Sequence, residues 1–152
     1  MMSSKKYRNP VPTINAIIHN KKNQILFIKR TQEPFKNYLS LPWGFINYGE
    51  KAEDALRRKV KEETSLNIEP LEILGVYSDP NRDPRGHVLS TVFICLIVDD
   101  SDGKDGKCSG EICWIKLNEI DGNAYSFDHK IIIEDYLKWR SNNSTYWSSK
   151  NR

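Results

Sequence analysis

The chain has 152 residues, 38% hydrophobic and 11% aromatic, which supplies enough apolar surface for one packed core and is too much for a disordered chain. A net charge of +3, with acidic and basic residues interleaved, excludes the concentrated basic stripe that nucleic-acid binding uses, so no specific nucleic-acid partner is expected. No apolar run is long enough to span a bilayer and Met1 to Asn9 is polar and basic, so the expectation is a cytoplasmic domain with no membrane partner.

Residues 1–10 read as a flexible segment. Val11 to His19 and Gln24 to Lys29 are rich in β-branched residues and are separated by Asn20-Lys21-Lys22-Asn23, a pattern that predicts a hairpin. Leu41 to Phe45 is a short extended piece running into a glycine-bounded loop. From Glu50 to about Thr64, Ala52, Ala55, Leu56, Val60 and Glu63 recur at helical spacing, with Glu53 and Asp54 in the first turn where the macrodipole favours anions. Ile68 to Val76 and His87 to Val98 predict two strands joined by the polar loop Ser78 to Gly86. Asp99 to Gly110 reads as an exposed loop, Glu111 to Leu117 as a strand, Phe127 to Arg140 as a second helix, and 141–152 as a frayed tail.

This order of strands, helix, strands, helix predicts a single α+β domain over 11–140, a mixed β-sheet with helices packed on its faces. Neither a disulfide framework nor a zinc site is expected of Cys95, Cys108 and Cys113, which are odd in number and lack partner histidines at ligand spacing.

The chemistry concentrates in Gly44 to Leu66. Glu62 and Glu63 are adjacent on a helix and Lys59 lies one turn earlier, so the three share about a third of the circumference. Two carboxylates on one face favour a shared hard cation, magnesium first and manganese second. Arg30, Arg82 and Arg85 could offer forked donors to phosphate oxygens. Trp114 and Tyr125 are candidates for stacking on a base, although core packing is the commoner use of such residues. His87 reads first as a loop histidine.

Gly44, Glu50, Arg58, Val60, Glu62, Glu63 and Leu66 fill seven of the nine specified positions of the Nudix box, and the chain resembles that hydrolase superfamily. Lys59 stands where the box has the Glu of its Arg-Glu pair, and Ser65 where it has a helix-ending glycine. Ser78 to His87 and Phe127-Asp128-His129 are similar to segments of small ADP-ribose pyrophosphatases. The resemblance implies an α/β/α sandwich that cleaves a nucleoside diphosphate derivative, ADP-ribose first, with magnesium.

It also implies roles. Glu62 and Glu63, with the backbone carbonyl of Trp43, are the metal set; Glu62, Glu63, Arg58 and Glu111 are the catalytic set, with Arg58 and Glu50 bracing the loop. Arg30, Arg82 and Arg85 are the substrate set. Homodimers are common in such proteins, so a second copy is the implied partner besides the nucleotide. Lys59 keeps open a nucleotide-binding or sensing protein with weakened turnover, and a third reading is a MutT-like pyrophosphohydrolase of nucleoside triphosphates.

Overall fold

The computed structural model describes residues 7–98 and 108–152. Its elements are β1 (Val11–Ile18), β2 (Gln24–Lys29), β3 (Leu39–Ser40), β4 (Trp43–Phe45), α1 (Ala52–Thr64), β5 (Ile68–Tyr77), β6 (Val88–Ile97), β7 (Cys108–Ser109), β8 (Ile112–Lys116), α2 (His129–Asn142) and β9 (Tyr146–Trp147), with a 3-10 turn at Leu117–Gly122. No helix among the described residues is long and apolar enough to cross a membrane.

β1 is buried from Thr13 onward, as a β-branched run covered on both faces should be. Its period of two sends Ile14, Ala16 and Ile18 into a core under α1 and Ile17 into a second core under α2. Thr13 and Asn15 share the Ile17 face and reach a cavity beyond that second core. β1 runs parallel to β6 and antiparallel to β4, in a sheet ordered β4-β1-β6-β5-β9; a smaller sheet is ordered β3-β2-β8-β7. Both sheets contribute to both cores, so a mixed β layer lies between two helices, the predicted α+β sandwich.

The predicted β1–β2 hairpin is corrected. The two strands belong to different sheets and meet only at their neck, through the His19–Ile25 bridge. Asn20 makes that neck: its Oδ1 accepts the N–H groups of Lys22 and Gln24, each at 3.0 Å, and its Nδ2 donates to Gln24 Oε1 at 2.7 Å. Both strands are apolar on both faces, so each is better buried between separate neighbours than against the other. Most of the predicted 99–110 loop lies outside the described residues, and Cys108–Ser109 at its end pairs with β8. Cys113, opposite Cys108 in that pairing, is disulfide-bonded, against the expectation of none, while Cys95 is free and buried.

α1 follows its predicted periodicity, with Ala55, Leu56 and Val60 buried, and ends at Ser65 in the left-handed conformation at φ 64°. A non-glycine residue there costs about 1 kcal/mol.

The tail expected to fray is tied down. β9 pairs parallel with β5, and at Gly75 a side chain would meet the Tyr146 carbonyl at 1.9 Å, so glycine is what lets the two backbones approach. Ser148 Oγ accepts the N–H groups of Ser78 at 2.9 Å and Asp79 at 3.2 Å. Arg152 forks onto Asp135, a fully buried carboxylate that also accepts the Tyr77 hydroxyl at 2.7 Å. Removing one partner of a buried ion pair leaves the other charge uncompensated. Arg152→Ala should therefore lower unfolding stability by about 3 kcal/mol, read from urea denaturation midpoints. A loss below about 0.5 kcal/mol, the scale of an exposed pair, would mean that Tyr77 alone satisfies Asp135.

Candidate active site

The loop leaving β4 is fixed by charge. Arg58 on α1 sends Nε to Glu50 Oε2 and Nη2 to Glu50 Oε1, both at 2.9 Å, and Nη2 also reaches the Phe45 carbonyl at 3.0 Å. Glu50 Oε1 accepts the Asn47 N–H at 3.0 Å, closing the loop on itself. The Arg58 bonds, then the Asn47 N–H, pull the Glu50 carboxyl down to about 2. Arg58 and Glu50 thus brace strand to helix, as expected. Gly44 is the contact point: a Cβ there would sit 2.1 Å from Lys59 Cγ, so the bare backbone is what the lysine stem lies against.

Neighbouring residues on a helix point about 100° apart, and this separates the two box carboxylates. Glu62 stays outward, 52% exposed, with Arg58 Nη1 at 3.5 Å and Lys59 Nζ at 3.4 Å. Glu63 turns inward against the edge strand β4, where the Trp43 N–H faces its carboxylate. Glu63 Oε1 is buried and has no hydrogen-bond partner among the described residues. Burial pushes this carboxyl up to about 6; Lys59 and the Trp43 N–H oppose the rise, and Glu62 and Glu111 add to it. Glu111 is brought there by its carbonyl, which accepts the Lys29 N–H at 2.7 Å. Glu63, Glu111, Trp43, Ser40 and Arg30 line one cavity of about 190 Å³.

A second cavity, of about 250 Å³, lies on the other side of Trp43 and is lined by Asn15, Phe45, Arg85, Phe127 and His129 among others. The Arg30 guanidinium stands 5.0 Å from the Phe127 ring centre; that of Arg85 stands 5.4 Å from Phe127 and 5.8 Å from Trp43. Burial, then the neighbouring Arg85 charge, lowers the Arg30 pKa. Two guanidinium groups and two aromatic rings therefore mark the boundary between the cavities. Cations at such a boundary suit the phosphates of a ligand that spans it.

The predicted site residues divide accordingly. Glu63, Glu111, Trp43, Arg30 and Arg85 are brought together. Arg82 is not available in the expected way: its side chain is 5% exposed and its Nε and Nη2 are spent on Asp128, at 2.9 and 2.6 Å. It locks the Ser78 to His87 loop to the start of α2. Glu62 is drawn off the cavity side by Arg58 and Lys59. His87 Nε2 bonds the Ser78 carbonyl at 2.9 Å, the loop role expected first. Trp114 lies in the α1 core, and Tyr125 packs on Phe27 at 5.0 Å and donates to the Ile120 carbonyl, so neither faces a ligand cavity. The aromatic walls are Trp43, Phe45 and Phe127, which sequence reasoning did not assign to that role; Phe127, at φ 52°, and His129 lay in a segment it had singled out without assigning them roles.

Residues 9–136 match the family model described as the NUDIX domain. The chain is 46% identical over 140 residues to the ADP-ribose pyrophosphatase of Methanocaldococcus jannaschii, covering 90% of this chain and 80% of that protein. It is 27% identical to the ADPR responsive transcriptional repressor NtrR of Acinetobacter baylyi, over 94% of this chain and 59% of the repressor. Among solved structures, the NUDIX domain of Shewanella oneidensis NrtR complexed with ADP ribose superposes with a TM-score of 0.76 at 23% identity, covering 92% of this chain and 94% of that one, a likeness of fold. The box residues, the two-helix sandwich around a mixed β layer and these matches agree, and the chain belongs to the NUDIX domain family.

Proposed function

We propose that this protein hydrolyses the diphosphate of ADP-ribose, giving AMP and ribose 5-phosphate. The observation that carries the reading is the buried, unpartnered Glu63 oxygen facing Glu111 in a cavity that shares its Trp43 wall with an aromatic and arginine-lined one. The 46% identical relative described as an ADP-ribose pyrophosphatase supports the choice of substrate.

Among the described residues no three His, Cys, Asp or Glu side chains stand close enough to cage a cation. Magnesium does not require a cage, since it takes one or two carboxylates and keeps water and substrate phosphates as its other ligands. The orphaned Glu63 oxygen fits that need. The N–H and C=O of one strand residue point to the same side, so the Trp43 carbonyl shares the direction of the N–H that faces Glu63. Glu63 and the Trp43 carbonyl would hold the ion, magnesium or manganese, with Glu62 tied up outside by its two cations. When bound, the ion would draw charge from phosphoryl oxygens and help ionise water.

The chain's own groups do the rest. Arg85 and Arg30 receive the diphosphate at the boundary of the cavities, and the aromatic cavity excludes water from the nucleoside end. Water attacks one phosphorus, the bridging P–O bond breaks, the bridging oxygen leaves with the other phosphate, and Glu111 accepts the water's proton. A second reading, slow turnover in a nucleotide-binding protein, is favoured by one observation: the Lys59 ammonium sits 3.4 Å from Glu62 at the box position that elsewhere carries a carboxylate. Both readings are tested by Lys59→Glu, which should raise ADP-ribose turnover at saturating substrate about tenfold or more across a magnesium titration, the effect of ~1.4 kcal/mol in the barrier. A fast parent enzyme with a neutral or harmful Lys59→Glu would show that the lysine costs nothing.

Glu63 gives a test that separates function from stability. Its carboxyl is held at about 6 in the fold against an ordinary 4.5, so between those values the folded chain keeps a proton that the unfolded chain has lost. That contribution is complete below pH 4.5 and is lost as pH rises through 6. Glu63→Gln cannot ionise. In EDTA at pH 8 it should be more stable than the parent by up to about 2 kcal/mol, and the gain should vanish near pH 4.5. The same variant should lose nearly all magnesium-dependent hydrolysis. Unchanged stability with unchanged activity would show that Glu63 neither carries a burial cost nor holds the ion.

A further inference from the structure

One polar group in the aromatic cavity has no task in the reaction described above. His129 opens α2, is 3% exposed and lines that cavity. The Leu41 N–H donates to its Nδ1 at 3.0 Å, and an imidazole nitrogen that accepts carries no proton, so the ring proton is on Nε2. Burial lowers the histidine to about 4, which keeps the ring uncharged in neutral solution. Nε2 makes no hydrogen bond among the described residues, and it is not one of their sealed, partnerless atoms, so its open side is the cavity.

The polar neighbours are already committed. Thr13 Oγ1 donates to the Leu89 carbonyl at 3.1 Å; Asn15 accepts the Ser90 hydroxyl and donates to the Pro42 carbonyl at 3.4 Å. Arg82 is spent on Asp128, and Asp83 accepts two bonds from Arg85 at 3.0 and 2.8 Å. Among the described side chains that line the cavity, the N–H of His129 is therefore the uncharged donor left over, beside the rings of Trp43, Phe45 and Phe127. Flat aromatic walls with one neutral donor suit a flat heteroaromatic ring carrying a lone-pair acceptor. A phosphate would be held better at the edge where Arg85 and Arg30 meet the Phe127 ring, and a sugar carries several hydroxyls that one neutral donor cannot satisfy.

We propose that His129 is a specificity-determining residue whose Nε2–H donates a hydrogen bond to a ring nitrogen of the substrate's nucleobase, seated between Trp43, Phe45 and Phe127. This rests on the nucleotide-substrate reading and adds to it the group that reads the base. A site built around a buried donor discriminates against a ring lacking the acceptor, because the donor is then left unpaired away from water. Fixing the tautomer through Leu41 makes the reading independent of pH across the neutral range.

His129→Asn is the informative change, since its side-chain oxygen can still accept the Leu41 N–H while nothing replaces Nε2–H. With ADP-ribose, KM should rise about tenfold and kcat should change less than twofold, the size of one lost hydrogen bond. AMP, measured by calorimetry and as a competitive inhibitor, should weaken by the same factor, and ribose 5-phosphate should be unaffected. His129→Gln, whose amide reaches the Nε2 position, should recover most of the AMP affinity. Equal AMP affinity in a folded His129→Asn, or a loss confined to ribose 5-phosphate, overturns the assignment. Should the variant fail to fold, the parent protein decides: one of 1-deaza, 3-deaza or 7-deaza AMP should bind about tenfold more weakly than AMP, and equal binding of all three is contrary. If the parent binds AMP without hydrolysing ADP-ribose, the hydrolase reading fails and the AMP comparison still judges His129. If the parent binds no AMP, the His129 assignment falls with it.

Discussion

Burying a carboxylate without a partner is costly, and a like charge nearby makes it costlier. Glu63 comes close to that condition, with one oxygen buried and unbonded among the described residues and only the Trp43 N–H and the Lys59 charge to offset its burial. The Ala55, Leu56 and Val60 face of α1 is sealed into the core, which fixes the helix's rotation and aims the next residue on that side at the edge strand β4. Gly44 removes the side chain that would hold helix and strand apart, and the Arg58–Glu50 fork locks the loop between them. Glu111 then arrives from the turn ahead of β8 with a second negative charge. In the function proposed above, a cation bound between the two carboxylates would return that lost stability by mass action.

The arginines divide between scaffold and site by what the guanidinium faces, since Arg82, Arg85 and Arg152 all fork onto an aspartate. Arg82 and Arg152 each make a fork onto a buried or nearly buried aspartate, Asp128 and Asp135, and so tie the Ser78 to His87 loop and the tail to α2. Ser148 holds the beginning of the same loop by its backbone. Arg85, three residues beyond Arg82, forks onto Asp83 within its own loop, and its half-exposed guanidinium lies over Trp43 and Phe127 with Arg30 facing it. The tail thus acts on the site indirectly, by fixing the loop that presents Arg85.

How much of this was legible follows from the range of each interaction. The α1 helix is local and periodic, and its buried face of Ala55, Leu56 and Val60 was legible; the left-handed backbone at Ser65 that ends it was not stated from the sequence. The inward turn of Glu63 and outward turn of Glu62 follow from helical rotation, but only the position of β4 says which of the two is inside. The β1–β2 hairpin misled because runs apolar on both faces carry no information about which strand they pair with. Two arginines three residues apart in one loop look alike until Asp128, 46 residues from Arg82, chooses between them. The tail looked polar and loose because its anchors, Gly75, Asp135 and the Ser78 backbone, are all distant in sequence. Aromatic residues gave no sign of their side of the sheet, so Trp114 and Tyr125 were weighed as stacking platforms while Phe45 was passed over and Phe127 was given no role.

The central claim is that the cation belongs to the inner carboxylate. Crystals grown with manganese and a non-hydrolysable ADP-ribose analogue, measured at the manganese absorption edge, test it most directly. The account predicts an anomalous peak bound by the Glu63 carboxylate and the Trp43 carbonyl, inside the cavity that Glu111 faces. A peak on Glu62 along the outer face of α1, or a bound nucleotide with no peak near Glu63, would contradict it.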